Sequence, residues 1–265
     1  MTGMEEPGRG PDRRLLLGLG AAALLSGCGS AAASPQKSAA PSPSPSPSRH
    51  MPSRALRRKC VAPSAQELAG RVPQSHVPCS AADVALTIDD GPDPEWTPKV
   101  LALLQRLDIR ATFCVIGRQA ASHPDLVAAV AGAGHMVANH TYTHRFLAAA
   151  TREQIHSEIA RASDAVAAAT GGHAPKLFRA PGGEWTHAVL SECAAQGLRP
   201  LGWSVDPRDW SRPGTTSIVR TLLHKTVPGS IILEHDGGGN RSQTLQALTV
   251  ALPRLLDAGF RFVQP

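Results

Sequence analysis

From residue 83 onward, short apolar runs alternate with longer stretches of helical periodicity, and that alternation leaves few folds open. Residues 84–88, 111–116, 136–139, 176–178, 200–204, 230–233 and 260–263 have the length and composition of strands. Helices are expected between them, over 97–107, 124–133, 152–169, 189–196, 217–225 and 242–258. Thr97 before Pro98 supplies a capping residue and a first-turn proline for the first of these, and Thr151 with Gln154 forms a capping box. Strands separated by helices imply a parallel sheet with helical crossovers, either a barrel or a doubly wound sheet.

Polar residues sit just beyond the apolar runs: Asp89 and Asp90, His140 and His144, Arg179, Asp209, and His235. A chain that repeatedly delivers carboxylates and imidazoles to strand ends is assembling one site, and about seven strands ending this way favour the barrel. Adjacent residues at a strand end point to different sides, so one aspartate can bind a metal while its neighbour faces a substrate. The alternative for Asp89, Asp90, Gly91 and Pro92 is a plain turn, for which those residue types suffice. His140 and His144 are four apart, which on a helical turn would bring both imidazoles to one side, as in metal-binding histidine pairs. With eleven histidines a coincidental pair is the bland alternative, although Asn139, Thr141 and Thr143 make the segment polar and unlike a core. With Asp90 the two histidines would supply two nitrogens and one oxygen, leaving positions for water and substrate.

The first third of the chain does not read as a packed fold. Arg13 and Arg14 precede the apolar run 15–25, which is too short to span a bilayer, and Ser26, Gly27 and Cys28 follow. The quartet Leu25, Ser26, Gly27, Cys28 resembles a bacterial lipoprotein cleavage box, with Cys28 acylated; an ordinary secretory peptide is the alternative, and the paired arginines also resemble a loose twin-arginine signal. Residues 29–58 are mostly Ala, Ser and Pro, a composition that favours extended polyproline II and cannot bury a core. A spacer of that kind reaches up to ~90 Å at ~3.1 Å per residue. The expected division is therefore an export signal over 1–28, a disordered linker over 29–58, a lead-in over 59–82 and a folded domain over 83–265, which the family resemblance of its motifs implies is catalytic.

Charge follows the same division. Residues 1–80 carry 10 Lys or Arg against 4 Asp or Glu, whereas residues 81–265 carry 17 of each, so the net +6 belongs to the leader and tether. That argues against a nucleic-acid-binding core and suits an anionic membrane or wall surface. In an exported protein Cys60 and Cys79 could close a disulfide loop worth ~3 kcal/mol, while Cys114 and Cys193 lie in apolar or helical surroundings and are expected as buried thiols.

Five segments then carry a family resemblance. Thr87-Ile88-Asp89-Asp90-Gly91-Pro92, His140-Thr141-Tyr142-Thr143-His144, Arg179-Ala180-Pro181-Gly182-Gly183, Asp206-Pro207-Arg208-Asp209-Trp210 and Leu233-Glu234-His235 resemble, in order, the motifs of the polysaccharide deacetylases, the NodB-homology or family 4 carbohydrate esterases. The resemblance implies an α/β fold, a distorted (β/α)7 barrel, and a metal-dependent hydrolase of N-acetylated polysaccharide. By it, Asp90, His140 and His144 would hold a divalent metal, zinc by preference with cobalt or manganese accommodated. Asp89 would be the general base and His235 the general acid, with Arg179 partnering Asp89 and Asp209 favouring the protonated imidazole of His235. The backbone amide of Gly182 would meet the oxyanion, and Trp210 and Leu233 would wall the groove, with Trp185 and Trp203 as further candidates. Gly182 stands where many members carry Tyr, which would leave the groove wall more open.

The resemblance together with the leader implies an exported, monomeric enzyme, lipid-anchored through Cys28 outside the bacterial cell membrane or secreted, and acting on peptidoglycan amino sugars. Chitooligosaccharide N-deacetylation or acetylxylan esterase activity is the alternative within the same chemistry. A glycan-binding lipoprotein without catalysis is the alternative of another class, although base, acid and all three metal ligands are present.

Overall fold

In the computed structural model, which describes residues 59–78 and 82–265, the architecture grows outward from strand β1 (Asp83–Asp89). Six of its seven residues are buried, as suits a strand covered on both faces. It pairs in parallel with β2 (Thr112–Val115) on one side and with β6 (Ile231–His235) on the other. Beyond β2 lie β3 (Met136–Asn139), β4 (Leu177–Phe178) and β5 (Arg199–Pro200), so the path runs β5-β4-β3-β2-β1-β6, and β7 (Arg261–Phe262) pairs with the start of β1. The chain after β5 bridges back to β6: Val205 pairs with Ile232, and Leu233 N donates to Val205 O at 2.9 Å. The sheet therefore curls into a barrel, the expected α/β class.

The faces of the strands separate two cores. Leu86, Ile88, Phe113, Val115 and Ile232 face outward and pack with Val100, Leu104, Val127, Leu248 and Leu252 from the surrounding helices. Ala85, Cys114, Ala138, Leu177, Leu201 and Ile231 form a smaller cluster facing the interior, half of it compact side chains. Val77, from the lead-in, joins this inner cluster and its amide donates to Gly229 O at 2.9 Å, so 59–78 is packed against the barrel rather than free of it. Cys60 is disulfide-bonded, and Cys114 and Cys193 are buried free thiols as expected. The export signal, the linker, Cys28 and Cys79 lie outside the described residues. Among the described residues no helix is long and apolar enough to cross a membrane.

The helices are α1 (Ala65–Leu68), α2 (Thr97–Arg106), α3 (Gly117–Ser122), α4 (Pro124–Gly132), α5 (Arg152–Ala169), α6 (His187–Ala195), α7 (Thr215–Lys225) and α8 (Ser242–Asp257). Thr151 caps α5 in the expected box, accepting from Gln154 N while Gln154 Oε1 accepts from Thr151 N. Thr97 does not cap α2. Its hydroxyl turns inward instead, accepting from Asp93 N and donating to the buried Asp236 carboxylate at 2.6 Å. The short helix α3 escapes the apolar pattern because its six residues are held by neighbours: a Cβ on Gly117 would come within 2.7 Å of Ala162 Cα, so glycine admits the close approach of α5.

The expected strand over 200–204 is interrupted after Pro200. Its backbone serves several partners, with Leu201 N bonded to Phe178 O, Gly202 N to Gln74 O and Ser204 N to Ile231 O. The carbonyls of Leu201 and Gly202 are taken by the Arg179 guanidinium, which leaves no regular ladder.

Candidate active site

Parallel register places the chemistry on one rim. Asp89 is paired with Cys114 on β2 and with His235 on β6, while Asn139, immediately before His140, is paired with Phe178, immediately before Arg179. The C-terminal ends of β1, β3, β4 and β6 thus deliver Asp89 and Asp90, His140, Arg179 and His235 to the same side of the sheet.

The two histidines come together differently from the helical turn expected of their spacing. Residues 140–144 form a loop in which Thr141 and His144 have φ of 63° and 62°. The Glu158 carboxylate on α5 holds that left-handed course, accepting from Tyr142 N, Thr143 N and the Thr143 hydroxyl at 2.8–3.0 Å. Gly117 and Arg118 amides at the start of α3 donate to the carbonyls of Thr141 and Tyr142. The imidazoles end with ring centroids 5.0 Å apart.

Asp90, just beyond β1, also turns at φ 74°, a region aspartate tolerates better than most side chains. Its Oδ1 lies 3.2 Å from His144 Nε2 and 3.5 Å from His140 Nε2. The three ligand atoms fall within 4.8 Å of one another. Asp90 Oδ1 is buried and has no hydrogen-bond partner, so its lone pairs are left for another electrophile. His140 Nδ1 donates to Arg179 O at 2.8 Å, which fixes the ring and turns Nε2 toward Asp90, the usual support of a ligating imidazole. Burial works against the charge on Asp90, yet the imidazoles of His140, His235 and His144 around it hold its carboxyl well below the usual carboxylate range. Burial lowers His144, whereas Asp89 and Asp90 outweigh burial at His140 and raise it. Two converging imidazoles and a carboxylate oxygen fit a divalent metal, which takes such groups in their deprotonated forms and releases their protons on binding.

Asp89 stands beside this triad, its Oδ2 3.7 Å from His140 Nε2. Its Oδ1 accepts from Arg179 NH1 at 2.7 Å. Arg179 is 0% exposed and spends its other donors on Thr87 Oγ1 at 2.8 Å, Gly202 O at 2.8 Å and Leu201 O at 3.3 Å. On the far side of the triad, His235 Nδ1 donates to Asp209 Oδ1 at 2.7 Å, and Asp209 Oδ2 accepts from His235 N and from the Thr244 hydroxyl. Although burial opposes the charged imidazole, that aspartate pushes the His235 pKa up to about 9. Burial and the Asp209 charge together raise the neighbouring Glu234 well above the carboxylate range.

A cleft of about 480 Å³ opens over these groups, bordered by Asp89, Asp90, His140, His144, His235, Gly182, Trp210 and Leu233. With Arg179 and Asp209 directly behind, the structure brings together the ten residues to which the sequence assigns a metal, catalytic or groove-wall role. Sequence comparison agrees with this geometry. The profile of the family described as "Polysaccharide deacetylase" matches residues 77–201. A chitooligosaccharide deacetylase of Bradyrhizobium sp. strain ANU 289 is 43% identical over 188 residues, covering 67% of this chain and 86% of that one. The chain belongs to the polysaccharide deacetylase family. A peptidoglycan-N-acetylglucosamine deacetylase of Bacillus cereus strain ATCC 14579 is similar to this deacetylase-family chain at 40% identity over 189 residues, 71% of this chain and 88% of the other. The solved family 4 carbohydrate esterase from Streptomyces lividans, in complex with acetate, superimposes with a TM-score of 0.64 at 38% identity, covering 69% of this chain and 92% of that one.

The deacetylase cleft also contains side chains to which the sequence assigns no role or only a candidate one. Phe146, Asp206, Gly238 and Arg241 line it, and Trp203 does so while Trp185 instead packs edge-on against Phe178. Arg241 is buried and ties the loop after His235 in place, donating to the carbonyls of Gly237, Gly238 and Trp210. Gly182 does not leave the wall open. The Phe146 ring covers it, and this residue carries no motif signal, lying beyond the histidine pair and just before the apolar run Leu147 to Ala150.

Proposed function

We propose that the chain is a metal-dependent hydrolase that removes N-acetyl groups from the amino sugars of a cell-wall glycan, peptidoglycan before chitooligosaccharide. What carries this function is the grouping of Asp90, His140 and His144 between two differently supported proton carriers, Asp89 on Arg179 and His235 on Asp209. A divalent metal held by Asp90, His140 and His144, zinc by the chemistry of the donors, would supply Lewis-acid polarisation of the acetyl carbonyl and a water of lowered pKa.

The protein's own groups then have separate tasks. Asp89, buried at the triad and oriented by Arg179, takes the proton from the attacking water. His235, with its pKa near 9, is protonated through neutral pH and delivers a proton to the departing amine, after which Asp209 continues to orient the ring. The backbone amide of Gly182 meets the developing oxyanion, and Leu233 and Trp210 wall the acetyl group and sugar. The resemblance to relatives named for chitooligosaccharide and for peptidoglycan N-acetylglucosamine supports an N-acetylated amino sugar as substrate.

The test is acetate release by the zinc-loaded protein from peptidoglycan, chitotetraose and acetylxylan. Expected is release from the two N-acetylated glycans, loss of at least ~10²-fold on chelation, and recovery on adding zinc back. Acetate from xylan alone, or none from any of the three, overturns the function.

A cell-wall substrate supports a location outside the membrane. The lipoprotein-type quartet ending in Cys28 and the Ala/Ser/Pro-rich residues 29–58 support a lipid-anchored enzyme that reaches into the wall. In fractionated cells the parent is expected with the membranes as the shortened, acylated form, and Cys28→Ala either in the medium or with its leader still attached. Equal partition of the two proteins at equal mass refutes the anchor.

A further inference from the structure

The chain is poor in aromatic residues, with five Phe, four Trp and one Tyr, so an aromatic left in solvent is informative. Among the described residues, the large apolar side chains that stay exposed include two aromatics, Phe146 at 58% and Trp210 at 47%. Both border the cleft over the metal triad. They arrive from different loops, Phe146 two residues beyond the ligand His144 and Trp210 one residue beyond Asp209. Neither can be placed there by the burial of a core.

Phe146 is fixed on two sides. Its ring meets the His144 ring edge-on with centroids 5.9 Å apart. On the other side it lies against the backbone of Gly182, where a Cβ would stand 2.5 Å from Phe146 Cε1 and 3.1 Å from Cδ1. Gly182 also has φ of +64°, a conformation that side-chain-bearing residues rarely adopt. Position 182 therefore has neither the room nor the backbone angle for a side chain while Phe146 keeps its place. The two residues act as a unit: glycine supplies the flat seat, and phenylalanine from the histidine loop supplies the apolar surface at that corner.

We propose that Phe146 is a specificity-determining residue: it stacks on the apolar face of the sugar ring next to the acetylated unit and thereby sets how strongly a longer chain is preferred over a single N-acetylated sugar. The inference rests on the glycan deacetylase function above and deepens it. A pyranose offers a face of C–H groups that suits an exposed aromatic ring, and one such face covered by Phe146 corresponds to about tenfold in affinity. Trp210 across the same cleft offers a second ring surface, so the acetylated unit between them would be gripped through its neighbours.

The experiment is steady-state acetate release by the zinc-loaded full chain on N-acetylglucosamine, chitobiose and chitotetraose, for the parent, Phe146→Ala and Phe146→Tyr, each checked for its melting temperature. Phe146→Ala is expected to raise KM for chitotetraose about tenfold with kcat within about twofold, to narrow the preference for tetramer over monomer, and to be rescued by Phe146→Tyr. A parent-like KM and length preference in Phe146→Ala overturns the inference while leaving the deacetylase function standing. A fall in kcat at unchanged KM overturns it too, because Phe146 would then act on His144 and not on the substrate. A parent that releases no acetate from these three or from peptidoglycan removes the deacetylase function and this inference with it.

Discussion

Replacing Asp89 with asparagine is expected to lower kcat by about 10² to 10⁴ while the protein still binds one equivalent of zinc. The geometry separates those two results. The converging ligand atoms belong to Asp90, His140 and His144, and Asp89 is the carboxylate left over, 3.7 Å from His140 Nε2 and engaged with Arg179. An asparagine keeps an oxygen for the 2.7 Å contact from Arg179 NH1 but cannot accept a proton from water. Metal content by elemental analysis and kcat on chitotetraose are the two measurements, taken well below the melting temperature, because the exchange also leaves Arg179 with an unbalanced buried charge. A variant that turns over at the parental rate removes Asp89 from the mechanism. A variant that loses its zinc as well would make Asp89 a ligand, and the division of labour between the two aspartates would have to be reversed.

Much of this site is legible in the sequence because strand ends are legible. The run before Asp89 is apolar, buried on both faces and followed by Gly and Pro, so its end is marked by chemistry that any parallel strand needs. The same holds for β3 before His140 and β6 before His235, and once the strands are parallel and adjacent, register alone brings their termini to one rim. Elements set by tertiary partners are different. The left-handed turns at Thr141 and His144 depend on Glu158, fourteen residues beyond His144, and a spacing of four says nothing about that carboxylate. Thr97 has the sequence of a cap and serves Asp236 instead, since a buried carboxyl with few partners gains more from the hydroxyl than an accessible helix end does. Phe146 is illegible for a related reason. An exposed aromatic has no periodicity, and its meaning comes from Gly182, which is distant in sequence and adjacent only after folding.

Arg179→Met is expected to destabilise the domain by about 3–5 kcal/mol, a fall in melting temperature on the order of 10 °C, and to abolish measurable activity. The side chain is the largest among those fully buried, and it fills the barrel interior where the strand residues facing it are small: Ala85, Cys114 and Ala138. One guanidinium there answers four acceptors, the Asp89 carboxylate, the Thr87 hydroxyl and the carbonyls of Leu201 and Gly202. Methionine preserves much of the length and the apolar stem but supplies no donor, so two backbone carbonyls and a carboxylate are left in a dry interior. The interrupted strand after β5 would lose the contacts that replace its ladder, and with it the bridge from Val205 to β6. Lysine at the same position carries the charge yet lacks the fork, so Arg179→Lys should fall between the parent and Arg179→Met, nearer the latter. Urea unfolding followed by circular dichroism gives the free energies. A methionine variant within about 1 kcal/mol of the parent would mean that the arginine is held by the barrel without holding it together, and that its place beside Asp89 is purely catalytic.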